Sequence, residues 1–177
     1  MHKNFTIDCV DQIAGAKDAA EVWQASKNIA ASVGAHSLVT AEFHTGIQQL
    51  PRKQPSMSEA WIDEYVGADY ASVDPLLKAV VEGQRTASVL SGQLDLRDEK
   101  NSKLDLDLDH NLKAAGYNYL TTGRYIGQTA STFRGCTMIA DSETDFGKAG
   151  SRQHYAMEFV RGLIARSATG PSADNRD

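Results

Sequence analysis

The chain has 177 residues, of which 41% are apolar and 23% charged, a balance that fits one soluble globular domain with or without a tail. A net charge of -5, with no basic run longer than Arg52-Lys53, argues against direct binding of nucleic-acid phosphates. Cys9 and Cys136 form no CxxC or Cys/His cluster, which disfavours a disulfide framework or structural zinc. No stretch reads as a signal peptide or approaches the ~20 apolar residues of a membrane span, so a cytoplasmic location is expected.

In chain order, residues 8–33 predict helix in two pieces broken near Gly15. In the second piece Ala20, Val22, Trp23, Ser26, Ile29 and Ala30 share one broad face, and Gly34 ends it. Residues 37–44 alternate, with Leu38, Thr40 and Glu42 on one side and Val39, Ala41 and Phe43 on the other, so they predict a strand. Thr45-Gly46 suits a turn, residues 48–50 a returning strand, and the proline-flanked residues 51–55 a loop. Ser56 or Ser58 caps a helix running to about Tyr65 or Val66. Asp74-Pro75 starts another, ending near Glu82-Gly83, and residues 86–90 predict a short strand.

Residues 94–115 carry two patterns. Leu104, Leu106 and Leu108 alternate with aspartates as in a strand, while Leu104, Leu108 and Leu112 have helical spacing; helix ended by Gly116 is the preferred reading. Residues 117–126 and 132–140 predict two strands joined by a turn near Gly127. Residues 145–166 predict a final amphipathic helix with Tyr155, Phe159, Leu163 and Ile164 near one face and Val160 beside them. The order of elements implies an antiparallel sheet with helices on both faces.

Familiar catalytic signatures are missing. There is no GxGxxG, P-loop or HExxH, and the five histidines are scattered without i,i+4 pairs. Asp105-x-Asp107-x-Asp109 opens like a calcium loop, but His110 stands where glycine is needed and Gly116 where glutamate is needed, so a solvated helix face is the better reading. No metal, no cofactor and no catalytic residue is expected.

The informative stretch is residues 61–75. Trp61 and Tyr65 are four apart and share a helix face, each with an apolar body and a polar tip. Asp74 follows in an extended conformation, because proline pushes the residue before it out of the helical region. Two donors, one carboxylate and aromatic walls suit a neutral amphiphile bearing carbonyls and an N–H. Taken alone, helix packing and N-capping account for the same residues.

The spacing Trp-x3-Tyr-x4-Tyr-x3-Asp-Pro at Trp61, Tyr65, Tyr70, Asp74 and Pro75 resembles the signature of the autoinducer-binding domain of LuxR-type quorum-sensing regulators. The likeness extends to about Ala168, through the paired N-terminal helices, the strand at 37–44, Ala114-Ala115-Gly116-Tyr117 and the apolar strand 136–141. It implies an α/β (α+β) fold, an α/β/α sandwich around a five-stranded antiparallel sheet, PAS- or GAF-like, with the ligand between sheet and helices. Residues 1–168 would form the sensor domain and 169–177 a flexible tail or linker remnant.

The resemblance also implies roles. Trp61 would donate to the lactone carbonyl of an N-acyl homoserine lactone, Tyr65 to its amide carbonyl, and Asp74 would accept from the amide N–H. Thr137 would complete the polar end and Tyr70 would line the pocket. Three positions depart from the pattern. Val89 stands where a second tryptophan is usual, Leu120 where glycine is, and Arg124 where proline is common.

Relatives continue into a helix-turn-helix domain that does not fit after the last helix here, so the chain is expected to be either a fragment of such a regulator or a stand-alone sensor. The expectation is therefore a non-enzymatic sensor acting through dimerisation, as a homodimer or with a full-length LuxR-type regulator, without contacting DNA or membrane. The alternatives are a ligand-independent interaction module whose pocket is filled by its own side chains, as Val89 and Leu120 suggest, and an enzyme acting on lactones.

Overall fold

Phe5–Ala14 (α1) and Ala19–Ser32 (α2) form the N-terminal helix pair. Asp18 starts α2 by accepting the amide of Glu21, supplying one of the donors a helix N-terminus leaves open. Strand β1 (Ser37–His44) follows, then β2 (Arg52–Pro55), α3 (Glu59–Gly67), α4 (Pro75–Val81) and β3 (Thr86–Leu90). The chain closes with α5 (Lys103–Ala114), β4 (Tyr119–Ile126), β5 (Thr132–Ala140) and α6 (Arg152–Ser167). This computed structural model describes residues 5–44, 52–95, 97–126, 132–147 and 151–167. The expected turns at Thr45-Gly46 and Gly127, the returning strand at 48–50 and the tail at 169–177 lie outside those residues.

The strands form one antiparallel sheet in the order β2-β1-β5-β4-β3. Because side chains alternate along a strand, each strand serves two cores. Leu38 of β1 and Cys136, Met138 and Ala140 of β5 meet α1, α2 and α6 on one face. Leu120 of β4 and Ile139 of β5 meet the segment from α3 to α5 on the other. The result is a three-layered arrangement with the sheet in the middle.

Three boundaries differ from expectation. Residues 52–55, expected as loop, pair with β1 through Val39↔Pro55 to Glu42↔Arg52. Proline is tolerated because β2 is an edge strand, and Ser56 extends the ladder by donating its amide to the Leu38 carbonyl at 2.7 Å. Helix α5 begins at Lys103, not near Leu94. Upstream, the Asp95 and Asp98 side chains accept from the amides of Arg97 and Lys100, which favours turns over helix, and the Ser102/Asp105 capping box fixes the true start. Asp145 belongs to a short 3-10 turn, Glu143–Phe146, which Gly147 ends at φ 74, so the last helix starts only at Arg152.

The buried stripe of α6 is also rotated from the expected one. Ala156, Met157, Val160, Arg161, Ile164 and Ala165 face inward, Phe159 and Leu163 pack at the edge of the core, and Tyr155 is 65% exposed. Arg161 sits within this stripe at 0% exposure. Its Nε donates to the Tyr125 hydroxyl at 2.8 Å, one terminal nitrogen to Thr121 Oγ1 at 2.9 Å, and the other to Glu158. Burial works against the Arg161 charge, but Tyr125 and Glu158 outweigh it and hold the guanidinium above its ordinary pKa. Gly123 of β4 makes room for it, since a Cβ there would stand 2.9 Å from Arg161 Nε.

Candidate ligand-binding cavity

The site begins with two helix caps. Ser58 starts α3 by accepting the amide of Trp61, which faces the Trp61–Tyr65 pair of the next turn toward the sheet. Asp74 starts α4 with one carboxylate oxygen, Oδ1, which accepts from the amides of Leu76 at 2.8 Å and Leu77 at 3.2 Å. Its other oxygen, Oδ2, accepts the Tyr65 hydroxyl at 2.7 Å. That bond ties α3 to the first turn of α4. A carboxylate offers about four acceptor positions, and three are used here, so one remains on Oδ2.

These residues stand at one end of a cavity of about 120 Å³ between the sheet and the helices α3 to α5. A single water needs only ~10–15 Å³ by the same measure, so there is space for a small organic guest. The helices contribute Trp61, Ile62, Tyr65, Asp74, Leu76, Leu77, Val80, Leu108 and Leu112. The sheet contributes Val39, Ala41, Phe43, Val89, Leu120, Thr122, Gly135, Thr137 and Ile139. The lining is apolar apart from the Trp61–Tyr65–Asp74 end and the two threonines, where Thr137 Oγ1 donates to Thr122 Oγ1 at 2.9 Å.

Trp61 is 4% exposed and is held by aromatic neighbours, Tyr70 stacked at 6.1 Å between ring centroids and Tyr117 edge-on at 5.6 Å. Among the described residues its indole N–H donates to no group, and no buried side-chain nitrogen or oxygen lacks a partner. The indole nitrogen is therefore accessible, on a ring that lines the cavity. The Tyr65 hydroxyl proton is engaged with Asp74, and burial followed by the Asp74 charge pushes the phenol pKa well above its ordinary value. Among the described residues, the polar end thus presents a guest with a donor at Trp61 and an acceptor position at Asp74.

Of the sequence-predicted site residues, Trp61, Tyr65, Asp74, Val89 and Thr137 all stand in the cavity wall. Tyr70 does not line it. Its ring lies behind Trp61, and its hydroxyl accepts from Asn111 of α5 at 2.7 Å, while the same Asn111 amide also reaches Glu64 of α3. Tyr70 is a support that locks α5 to α3. Val89 and Leu120 face each other across β3 and β4, and both border the open space without closing it. Phe43, Thr122 and Gly135 were missed by the sequence reading. For Phe43 the alternation of β1 was the available signal.

The aspartates of α5 have local duties. Asp105 closes the capping box, and the buried Asp109 accepts the amides of Gly92 at 2.8 Å and Leu94 at 3.0 Å, fastening the preceding loop to the helix. Asp109 is thus no part of a solvated face. Among the described residues no group of His, Cys, Asp and Glu is arranged to hold a metal ion, and no helix is long and apolar enough to cross a membrane. Cys136 is a core residue, its thiol pushed up to about 12 chiefly by burial.

This arrangement of sheet and helices recurs in solved structures. The N-acylhomoserine lactone dependent LuxR family transcription factor CepR2 from Burkholderia cenocepacia superposes with a TM-score of 0.71 at 16% identity, over 93% of this chain and 96% of that one. The chain has the fold of a LuxR-type autoinducer-binding domain. A solution structure of residues 1–171 of Escherichia coli SdiA gives 0.62 at 15% identity and 92% of each chain. A longer SdiA crystal structure gives 0.66 at 14% identity, over 92% of this chain and 66% of that one. No protein-family model and no curated protein sequence matches the chain. At these identities the likeness to the LuxR-type domain is one of fold, and the site rests on its own geometry.

Proposed function

We propose that the chain is a non-enzymatic sensor that binds an N-acyl homoserine lactone or a similar acylated signal and regulates quorum-sensing transcription through dimerisation. The observation that carries this reading is the partly open cavity between sheet and helices, with an indole donor and a carboxylate acceptor in its wall and aliphatic side chains beyond. A carbonyl of the guest pairs with Trp61, its amide N–H with Asp74, and its chain with the aliphatic walls. A hydrogen bond to the ionised Asp74 contributes about 1.5–3 kcal/mol, and each buried methylene adds about 0.8 kcal/mol. The fold likeness to CepR2, described as N-acylhomoserine lactone dependent, supports the ligand class. An SdiA structure in complex with octanoyl-rac-glycerol supports including other acylated neutral headgroups.

Native mass spectrometry of the purified chain, with N-acyl homoserine lactones and with 1-octanoylglycerol, tests the reading. A stoichiometric adduct accompanied by a rise in Tm is expected, since a guest that binds only the folded state stabilises it. Absence of both effects at saturating guest excludes the sensor and favours a ligand-independent interaction module. The regulatory half is tested by titrating the chain into a full-length LuxR-type regulator on its operator DNA. Reduced DNA affinity is expected from a mixed dimer, and unchanged affinity counts against it.

A further inference from the structure

The far end of the cavity, opposite Trp61 and Asp74, is built differently from the rest. Helix α4 runs along the cavity from Asp74 to Val80, a distance of roughly 9 Å at 1.5 Å per residue. At the Val80 end the sheet offers its smallest side chains on this face, Ala41 paired with Gly135 across β1 and β5. Gly135 lets Phe43 and Val80 settle onto bare backbone. A Cβ there would meet Phe43 Cε2 and Val80 Cγ1 at 3.3 Å each, closer than ordinary van der Waals contact.

Both residues of this end wall are braced by one side chain. Arg124, from β4, lays its guanidinium carbon 3.8 Å from the centroid of the Phe133 ring, and Phe133 stacks on Phe43 with centroids 4.9 Å apart and planes 3° from parallel. The same guanidinium donates from Nη1 to two carbonyls in the last turn of α4, that of Val80 at 3.0 Å, which also accepts the Gly83 amide, and that of Val81 at 3.1 Å. A planar guanidinium can stack and donate at once, which an ammonium cannot.

We infer that Phe43 and Val80, seated on Gly135 and braced by Arg124, form the end wall that fixes the longest apolar tail the cavity accepts. Phe43 and Val80 touch the guest, and Arg124 is a positioning residue. The inference deepens the proposed function and rests on it for the headgroup alone, because the wall meets only the tail.

Isothermal titration of the full chain with two homologous series tests it: N-acyl homoserine lactones of increasing chain length, and n-alkanols, which have no headgroup to recognise. In the wild type, affinity rises roughly fourfold per methylene until the tail meets the wall, and then stops rising. Val80→Ala is expected to move that break to longer tails by roughly one or two methylenes, matching the two carbons removed. Arg124→Lys keeps the charge but loses the stacking plane, and is expected to let longer tails gain affinity while shorter ones stay within about twofold. A break that stays in place in both variants overturns the end wall and leaves the sensor standing. Alkanols that bind with a shifted break while no lactone binds support the wall and overturn the proposed ligand. Binding of neither series overturns both.

Discussion

On the side of the sheet covered by α1, α2 and α6, the side chains of Cys136, Met138, Ala140, Val160 and Ile164 are wholly buried against one another. On the other side, Gly135, Thr137 and Ile139 of the same strand border a cavity. The strands are shared, so the difference lies in what holds the helices. Helix α6 has 16 residues and lies directly on β4 and β5, drawn down by Arg161. On the hollow side the covering helices are shorter, and aromatic groups hold them off at both ends of the space. Trp61, Tyr70 and Tyr117 stand at one end, and Phe43 and Phe133 at the other. A hollow persists in a protein interior when rigid rings act as spacers, since close packing otherwise removes it.

The largest expected effect lies on the solid side. Arg161→Ala removes a wholly buried side chain and its donors to Tyr125 and Thr121, leaving both without that partner, so urea denaturation should show a loss of about 2–4 kcal/mol. A loss under 1 kcal/mol would show that α6 does not depend on this cluster.

The contrast sharpens when both faces are enlarged. Ala140→Leu on the solid side should cost about 1–3 kcal/mol through overpacking. Ala41→Val, which points a branched group into the cavity, should leave unliganded stability unchanged or slightly raised, while weakening guest binding. Equal destabilisation by the two changes would mean that the hollow side is also tightly packed.

Alkaline titration distinguishes the faces by a smaller margin. Burial pushes Cys136 up to about 12 from an ordinary value near 9. The thiol is then ionised in the unfolded chain and still protonated in the folded one, so unfolding releases a proton. Its stabilising effect is complete below pH 9 and is lost progressively as pH rises toward 12, with a slope of at most ~1.4 kcal/mol per pH unit. Cys136→Ala should flatten this decline. Tyr65→Phe, on the hollow side, should lower stability by a constant amount through loss of the bond to Asp74 and flatten the decline only above pH 10, the ordinary phenol value. Tm measured against pH for the two variants checks both statements.

Much of this architecture was legible in the sequence wherever local chemistry and tertiary packing agree. Ser58 and Asp74 cap helices because their side chains satisfy open amides whatever surrounds them. The alternation of β1 separated the Leu38 side from the Val39, Ala41 and Phe43 side because each face meets a different layer. Trp61, Tyr65 and Asp74 converge because the chain reverses after α3 through Asp69 at φ 57 and a 3-10 turn at Tyr70–Ser72, which bring the start of α4 back to Tyr65.

What stayed hidden depends on long-range partners. Arg161 falls on the inward stripe of α6 between Met157 and Ile164, but arginine is normally read as exposed, and its burial is tolerable because Tyr125 and Thr121 on β4 join Glu158 as its partners. The strand at 52–55 was masked by its prolines, since nothing local announces an edge position. The late start of α5 was masked by leucines that satisfy two periodicities at once. Gly135 gave no signal because its role is to be absent from beneath Phe43 and Val80.

The carboxylate of Asp74 is shared between a helix start and a tyrosine. A visitor that takes the remaining position on Oδ2 shares that oxygen with Tyr65, while Oδ1 keeps the amides of Leu76 and Leu77. Side chains thus fasten both ends of one seven-residue helix, the Asp74 carboxylate at its start and the Arg124 guanidinium at its last turn, so the cavity wall between them is held at two points.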